Sequence, residues 1–206
     1  TYNREELMQI AKVAQEKDLI VISDEIYDKI VYSGIKHVSF PELSDDAKER
    51  TILVNGVSKT YSMTGWRIGY AAGNPKVISA MNNLSGQSTS NPTSISQKAA
   101  IEAFSGTQEK VKEMLAEFET RKNYISSYLN EIKDIECFVP DGAFYVFPNI
   151  SAYFGKKYND KVITNSLEFT DFLLDVAKVA VVPGVEFGSD SHIRTYYATS
   201  MSDIKQ

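Results

Sequence analysis

Two apolar runs in the chain end in residues that can do chemistry. Leu19-Ile20-Val21-Ile22-Ser23 leads into Asp24-Glu25-Ile26-Tyr27, and Thr51-Ile52-Leu53-Val54-Asn55 leads into Gly56-Val57-Ser58-Lys59. In α/β sheets ligands gather at the carboxyl ends of the strands. A carboxylate at 24 and an amine at 59 therefore stand where a ligand would be met. Alone, an Asp after a strand reads first as a helix cap, and a lone Lys as a solvated surface residue. Tyr27 alone reads as a half-buried packing residue with a satisfied hydroxyl. The setting of Lys59 argues the other way, because Ser58-Lys59-Thr60-Tyr61-Ser62-Met63-Thr64-Gly65-Trp66 places it between two strands among small and aromatic residues. A desolvated Lys, or one near positive charge, can lose its proton and act as nucleophile and proton carrier. Ile193-Arg194-Thr195 alone reads as a surface Arg.

The elements that must position these residues are legible from pattern. Asn3 can cap a helix running to Lys17, with Glu5 and Glu6 at its positive end and Leu7, Ile10, Ala11 and Ala14 on one face. The runs at 19–23 and 51–55 read as parallel strands covered on both faces, and Arg67–Ala72 as a third strand closed by Gly73-Asn74-Pro75. Helices are expected at about Lys76–Leu84, Ser94–Phe104 and Gln108–Ile132, the last with a buried stripe of Val111, Leu115, Phe118, Ile125 and Leu129. Short strands at Ile135–Val139, Phe144–Phe147, Val179–Val182 and Ile193–Ala198, with a helix at Leu167–Ala177, read as a small α+β unit. The stretch from Ser151 to Asn165 reads as a long polar loop. A domain junction is expected near residue 110, giving domains 1–110 and 111–206.

Composition excludes more than it selects. With 43% apolar and 24% charged residues in 206, the chain can form a core and is not disordered. A net charge of −5 argues against nucleic-acid binding. The longest apolar run falls far short of a membrane span, and no signal peptide is legible, which makes the cytoplasm the expected location. Cys137 is the single cysteine and reads as a structural thiol. His37 and His192 lack metal-ligand spacing, so no metal is expected. Gly65 and Gly69 read as turn or close-approach positions rather than a nucleotide fingerprint.

The block Ser58 to Tyr70 resembles the lysine motif of the pyridoxal-phosphate-dependent class I and II aminotransferases, fold-type I enzymes akin to aspartate aminotransferase. Asp24-Glu25-Ile26-Tyr27 lies upstream at the family's distance. Pro140-Asp141-Gly142-Ala143-Phe144-Tyr145, Val182-Pro183-Gly184 with Phe187-Gly188, and Ile193-Arg194 with Tyr197-Ala198 follow in the family's order. The resemblance implies a partial large domain, a mostly parallel sheet with helices, followed by a small α+β domain. It implies pyridoxal phosphate as cofactor and an amino acid and a 2-oxo acid as substrates, in a homodimer. Lys59 then matches the residue that forms the Schiff base and moves the proton between substrate and cofactor. Asp24 matches the partner of the pyridine nitrogen, which a carboxylate keeps protonated. Tyr27 matches the donor to the phenolic oxygen, Arg67 the grip on the phosphate with Ser58 a further donor, and Arg194 the holder of the substrate α-carboxylate.

Many family members carry a Ser or Thr three residues before the Lys, where this chain has Gly56. The resemblance also implies that the family's Gly-rich phosphate loop, the aromatic that stacks on the ring and the Asn that contacts the phenolic oxygen lie upstream of residue 1. The chain is therefore expected to be a fragment that binds cofactor weakly or not at all, and whose last helix, from Ser202 to Gln206, is cut. An inactive binding protein on the same fold, or another fold-type I reaction such as a C–S lyase, are the alternatives.

Overall fold

A computed structural model describes residues 1–158 and 161–205. Asn159 and Asp160 of the expected polar loop, and Gln206 of the expected last helix, lie outside the described residues. The chain divides into two compact units, Thr1–Glu113 and Met114–Gln206.

The first unit opens with α1 (Arg4–Glu16), whose start is fixed by a full capping box: the Asn3 side chain accepts from Glu6 N–H while the Glu6 carboxylate accepts from Asn3 N–H. β1 (Val21–Asp24) follows, then α2 (Asp45–Arg50), capped by Ser44, and β2 (Thr51–Gly56). β3 (Gly69–Ala72), α3 (Pro75–Ser88) and α4 (Ser94–Ser105) complete the unit. β1 pairs parallel with β2 in the register Asp24–Val54, and β2 pairs antiparallel with β3 in the register Gly56–Gly69. The sheet expected to be mostly parallel thus carries an antiparallel pairing with its third strand.

Ala11, Phe40, Leu43 and Ala47 form a core against one side of β1, with Leu7, Val21 and Val38 packed on it. Two expectations change here. Ile10 is exposed rather than part of the α1 buried face, and Ile20 and Ile22 are 68% and 71% exposed, so β1 is covered on the Val21 side alone. The reason is the strand period of two: Val21 meets the helix side, and its neighbours point the opposite way.

α5 (Glu109–Glu131) contains the unit boundary. Its buried positions include Phe118, Lys122 and Ser126, a four-residue ladder that the apolar stripe read from sequence caught only at Phe118. The second unit holds β4 (Tyr145–Val146), a hairpin β5 (Lys157–Tyr158) and β6 (Lys161–Val162), α6 (Ser166–Phe172), β7 (Val182–Pro183), β8 (Ile193–Tyr196) and α7 (Met201–Ile204). The small sheet runs β4-β8-β7, all antiparallel, over a core of Ile150, Ile163, Phe169 and Ile193.

The strand expected at Ile135–Val139 does not form. Glu136 makes an isolated bridge to Asn149, while the Asn130 side chain takes both the Cys137 N–H (2.9 Å) and the Cys137 carbonyl (2.8 Å). Those are the groups a strand ladder would need. The strand expected from Val179 starts only at Val182. α6 runs into a π-helical turn, Leu173–Ala177, closed by Lys178 in a left-handed conformation, and Val179 N–H returns to Leu173 O.

Candidate active site

β1 and β2 run parallel, so Asp24 and the turn after Gly56 emerge at one end of the sheet. β3 runs the other way, so the segment entering it, which contains Arg67, starts from that same end. Five of the six residues singled out from sequence, Asp24, Tyr27, Ser58, Lys59 and Arg67, are therefore gathered by topology alone. Arg194 belongs to the second unit.

Asp24 is exposed, and its Oδ1 accepts from Ile26 N–H at 3.2 Å, closing a turn that brings Tyr27 round. Lys59 is half-buried, with its Nζ 5.8 Å from the centre of the Tyr27 ring. The turn that carries Ser58 and Lys59 is fixed by Tyr61 N–H to Val57 O and Ser62 N–H to Lys59 O, both at 3.2 Å. Buried Thr60 links it to the first turn through Asp28 at 3.4 Å. Ser62 and Arg67 both sit at positive φ, 53° and 51°. Arg67 is exposed, and its guanidinium donates to Thr64 O at 2.9 Å. α4 backs this segment: Ser96 Oγ donates to Trp66 O at 2.8 Å, and Phe104 meets the rings of Tyr61 and Tyr70 edge-on. Burial raises the hydroxyls of Tyr61 and Tyr70 above the usual tyrosine range.

Gly56, where the chain departs from the family pattern, lies at a close approach of two strands. It faces Gly69 across the β2–β3 pair, and a Cβ on it would lie 3.0 Å from Gly69 Cα and 3.1 Å from Ile68 O. Both are backbone atoms, so a side chain at 56 would require the β3 backbone to give by a few tenths of an ångström.

Arg194 lies on β8 with its guanidinium carbon 4.7 Å from the centre of the Tyr145 ring and 4.1 Å from that of Phe187. Phe187 packs edge-on against Phe147 at 6.0 Å, and Phe147 stacks on His192 at 4.8 Å. His192 Nδ1 is held by Ser189 and Ser191 at 2.8 and 2.9 Å. Two aromatic rings within cation–π distance hold the guanidinium, whose planar fork suits a carboxylate.

The family model for aminotransferase class I and II matches residues 1–206. The chain belongs to this family. This aminotransferase chain is 49% identical to the aspartate aminotransferase of Bacillus subtilis over 205 residues, covering 100% of the chain and 51% of that relative. It is 47% identical to the probable aspartate/prephenate aminotransferase of Rickettsia typhi over 207 residues, covering 100% and 52%. The aspartate aminotransferase structure from Rhizobium meliloti superposes with a TM-score of 0.95 at 39% identity, covering 100% of this chain and 52% of that one. An aromatic aminotransferase from Pyrococcus horikoshii gives 0.90 at 35%, covering 100% and 53%. The chain spans about half the length of the curated relatives it matches. Its fold is that of the fold-type I aminotransferases.

Sequence reasoning passed over one constellation beside Asp24 and Tyr27. Glu25 and His37 lie twelve residues apart yet meet at 2.8 Å. No spacing rule reports such a pair; the only signal was an acidic residue inside the Asp24–Tyr27 motif, directly after an apolar strand.

Proposed function

We propose that this chain carries the lysine-bearing part of a pyridoxal-phosphate-dependent aminotransferase, which moves an amino group between an L-amino acid and a 2-oxo acid. The observation that supports this best is the convergence of an amine, a carboxylate, a phenol, a hydroxyl and a guanidinium at one end of a three-stranded sheet. That donor set fits the cofactor's aldehyde, ring nitrogen, phenolic oxygen and phosphate. When bound, the cofactor supplies an electron sink for the charge left by loss of the substrate α-proton.

Lys59 is the nucleophile and carries the proton to and from the substrate α-carbon. Asp24 would meet the ring nitrogen and favour its protonated form, as an opposite charge does. Tyr27 donates to the phenolic oxygen, and Arg67 and Ser58 hold the phosphate, the first bidentately. Arg194 would hold the substrate α-carboxylate through its planar fork. The relatives named aspartate aminotransferase make L-aspartate the first amino acid to test. The active protein is a homodimer of the cytoplasm in this reading; among the described residues, no helix is long and apolar enough to cross a membrane.

The test uses the full-length protein. Pyridoxal phosphate should bind with a visible absorbance that Lys59→Ala abolishes, and L-aspartate should release a 2-oxo acid in a single half-reaction. Failure to bind the cofactor, or release of pyruvate from a β-substituted amino acid with no amino transfer, would overturn the proposal.

A further inference from the structure

Glu25 stands between Asp24 and Tyr27 and is turned away from water, its side chain 6% exposed. Burying a carboxylate is costly unless hydrogen bonds replace the lost water. Glu25 has them on both oxygens. Oε1 accepts from Ser23 Oγ, Ser39 Oγ and Phe40 N–H, each at 3.0 Å, and Oε2 meets His37 Nε2 at 2.8 Å. All but Ser23 come from the segment 37–40, which feeds Phe40 into the core of the first unit.

The backbone of Glu25 is held as firmly. Its N–H donates to Val54 O at 2.9 Å, and its carbonyl accepts from Asp28 N–H at 3.0 Å. Neighbouring residues of a strand point to opposite faces. Pinning Glu25 on the packed side therefore directs Asp24 to the other, where it is exposed. It also sets the start of the turn that ends with Tyr27 beside Lys59.

We propose that Glu25, tied to His37, is a positioning residue that holds the Asp24 carboxylate and the Tyr27 ring in place at the end of β1. The inference rests on the reading of Asp24 and Tyr27 as cofactor contacts. Electrostatics agrees with the geometry. Burial alone would raise the Glu25 carboxyl, but the bonds from His37, Phe40, Ser39 and Ser23 bring it below its ordinary value. The bond to Glu25 raises the His37 imidazole, against the effect of burial. Asp28 and Lys29 on the same turn act on His37 in opposite directions, and the Tyr70 hydroxyl on β3 feels both Glu25 and Asp28.

The test compares full-length wild type, Glu25→Gln, His37→Ala and His37→Gln, with pyridoxal phosphate as the probe. Hydrogen–deuterium exchange of the peptide 21–30 is read without cofactor, beside thermal unfolding. His37 is partly exposed, so His37→Ala serves if Glu25→Gln does not fold. Losing a bond to a charged group should weaken cofactor binding by roughly tenfold or more. Exchange should quicken in 21–30 and not elsewhere, and the pH at which the bound cofactor's absorbance titrates should shift. His37→Gln, which restores a donor, should recover most of the affinity. Unchanged affinity with unchanged exchange overturns the proposal, as does exchange that quickens uniformly across residues 1–113. Local quickening with unchanged affinity overturns it too. If wild type itself binds no cofactor, the reading of the site fails, while exchange in 21–30 still decides whether Glu25 holds the turn.

Discussion

Replacing Gly184 by Ala tests the loop that carries Arg194. Gly184 is buried directly after β7, its N–H donates to His192 O at 2.8 Å, and its carbonyl accepts from Ser189 N–H at 3.0 Å. These bonds fold 184–192 back on itself and deliver β8 into register, Pro183 opposite Ile193 and Val182 opposite Arg194. A Cβ at 184 would run into Ser189 O and His192 O and lie 2.8 Å from the His192 carbonyl carbon. All three are backbone atoms, with no flexible side-chain end to give way. Relief means separating 184 from 189–192 and giving up both hydrogen bonds. Two such bonds contribute about 2 kcal/mol, and overpacking strain adds about 1–3 kcal/mol. A total of roughly 3–5 kcal/mol corresponds to a fall in Tm of about 6–20 °C for a chain of this size. Gly188→Ala is the control. It has φ +76° but open space around it, so only the left-handed backbone cost of roughly 1–2 kcal/mol applies. Differential scanning calorimetry of both variants decides the matter. A Gly184→Ala midpoint within about 2 °C of wild type, or no lower than that of Gly188→Ala, would refute the argument.

The remaining expectations concern chemistry and pH. Phe187→Leu removes one ring from Arg194, so KM for every amino acid and 2-oxo acid should rise roughly 2–30-fold with kcat little changed, following a cation–π loss of about 0.5–2 kcal/mol; steady-state kinetics over a substrate panel reads it. Arg194→Ala should raise KM more, and alike for all substrates; selective loss of one substrate would contradict its assignment. The Glu25–His37 pair gives stability a pH signature. The raised imidazole contributes fully below its ordinary value of 6.5 and loses that contribution as pH rises through its folded value. The lowered carboxyl contributes fully above 4.5 and loses it as pH falls through its folded value. Urea midpoints should therefore show a contribution greatest between those limits, with the alkaline decline absent in His37→Gln. Cys137 is buried and its thiol is raised by burial, so a thiol reagent should label it slowly in the native protein and rapidly in denaturant.

Strong local signals made much of the fold legible. The β1 and β2 runs, the Asn3 cap and the long α5 all announce themselves through propensity and period. The clustering of Asp24, Tyr27, Ser58, Lys59 and Arg67 follows from strand direction, which a motif order can carry. What stayed hidden depends on partners distant in sequence. The Asn130 side chain takes the bonds that would have made 135–139 a strand. Lys122 is buried on α5 although its type belongs on a surface. Glu25 finds its donors across a loop, so nothing in its neighbours marks it as buried. α2 is only six residues long, too short for a periodic pattern, and rests on its Ser44 cap.

The segment between Lys59 and β3 holds two non-glycine residues in left-handed conformations, Ser62 and Arg67. Glycine at either place would relieve roughly 1–2 kcal/mol of backbone cost, yet at 67 it would also remove the guanidinium. On the proposed role of Arg67 as the phosphate grip, stability and anion binding pull position 67 in opposite directions. A stabilising screen blind to function would select Arg67→Gly, and a screen that scores cofactor retention would reject it. If the proposed role of Arg67 holds, this position is where the fold accepts a strained backbone for the sake of a charge.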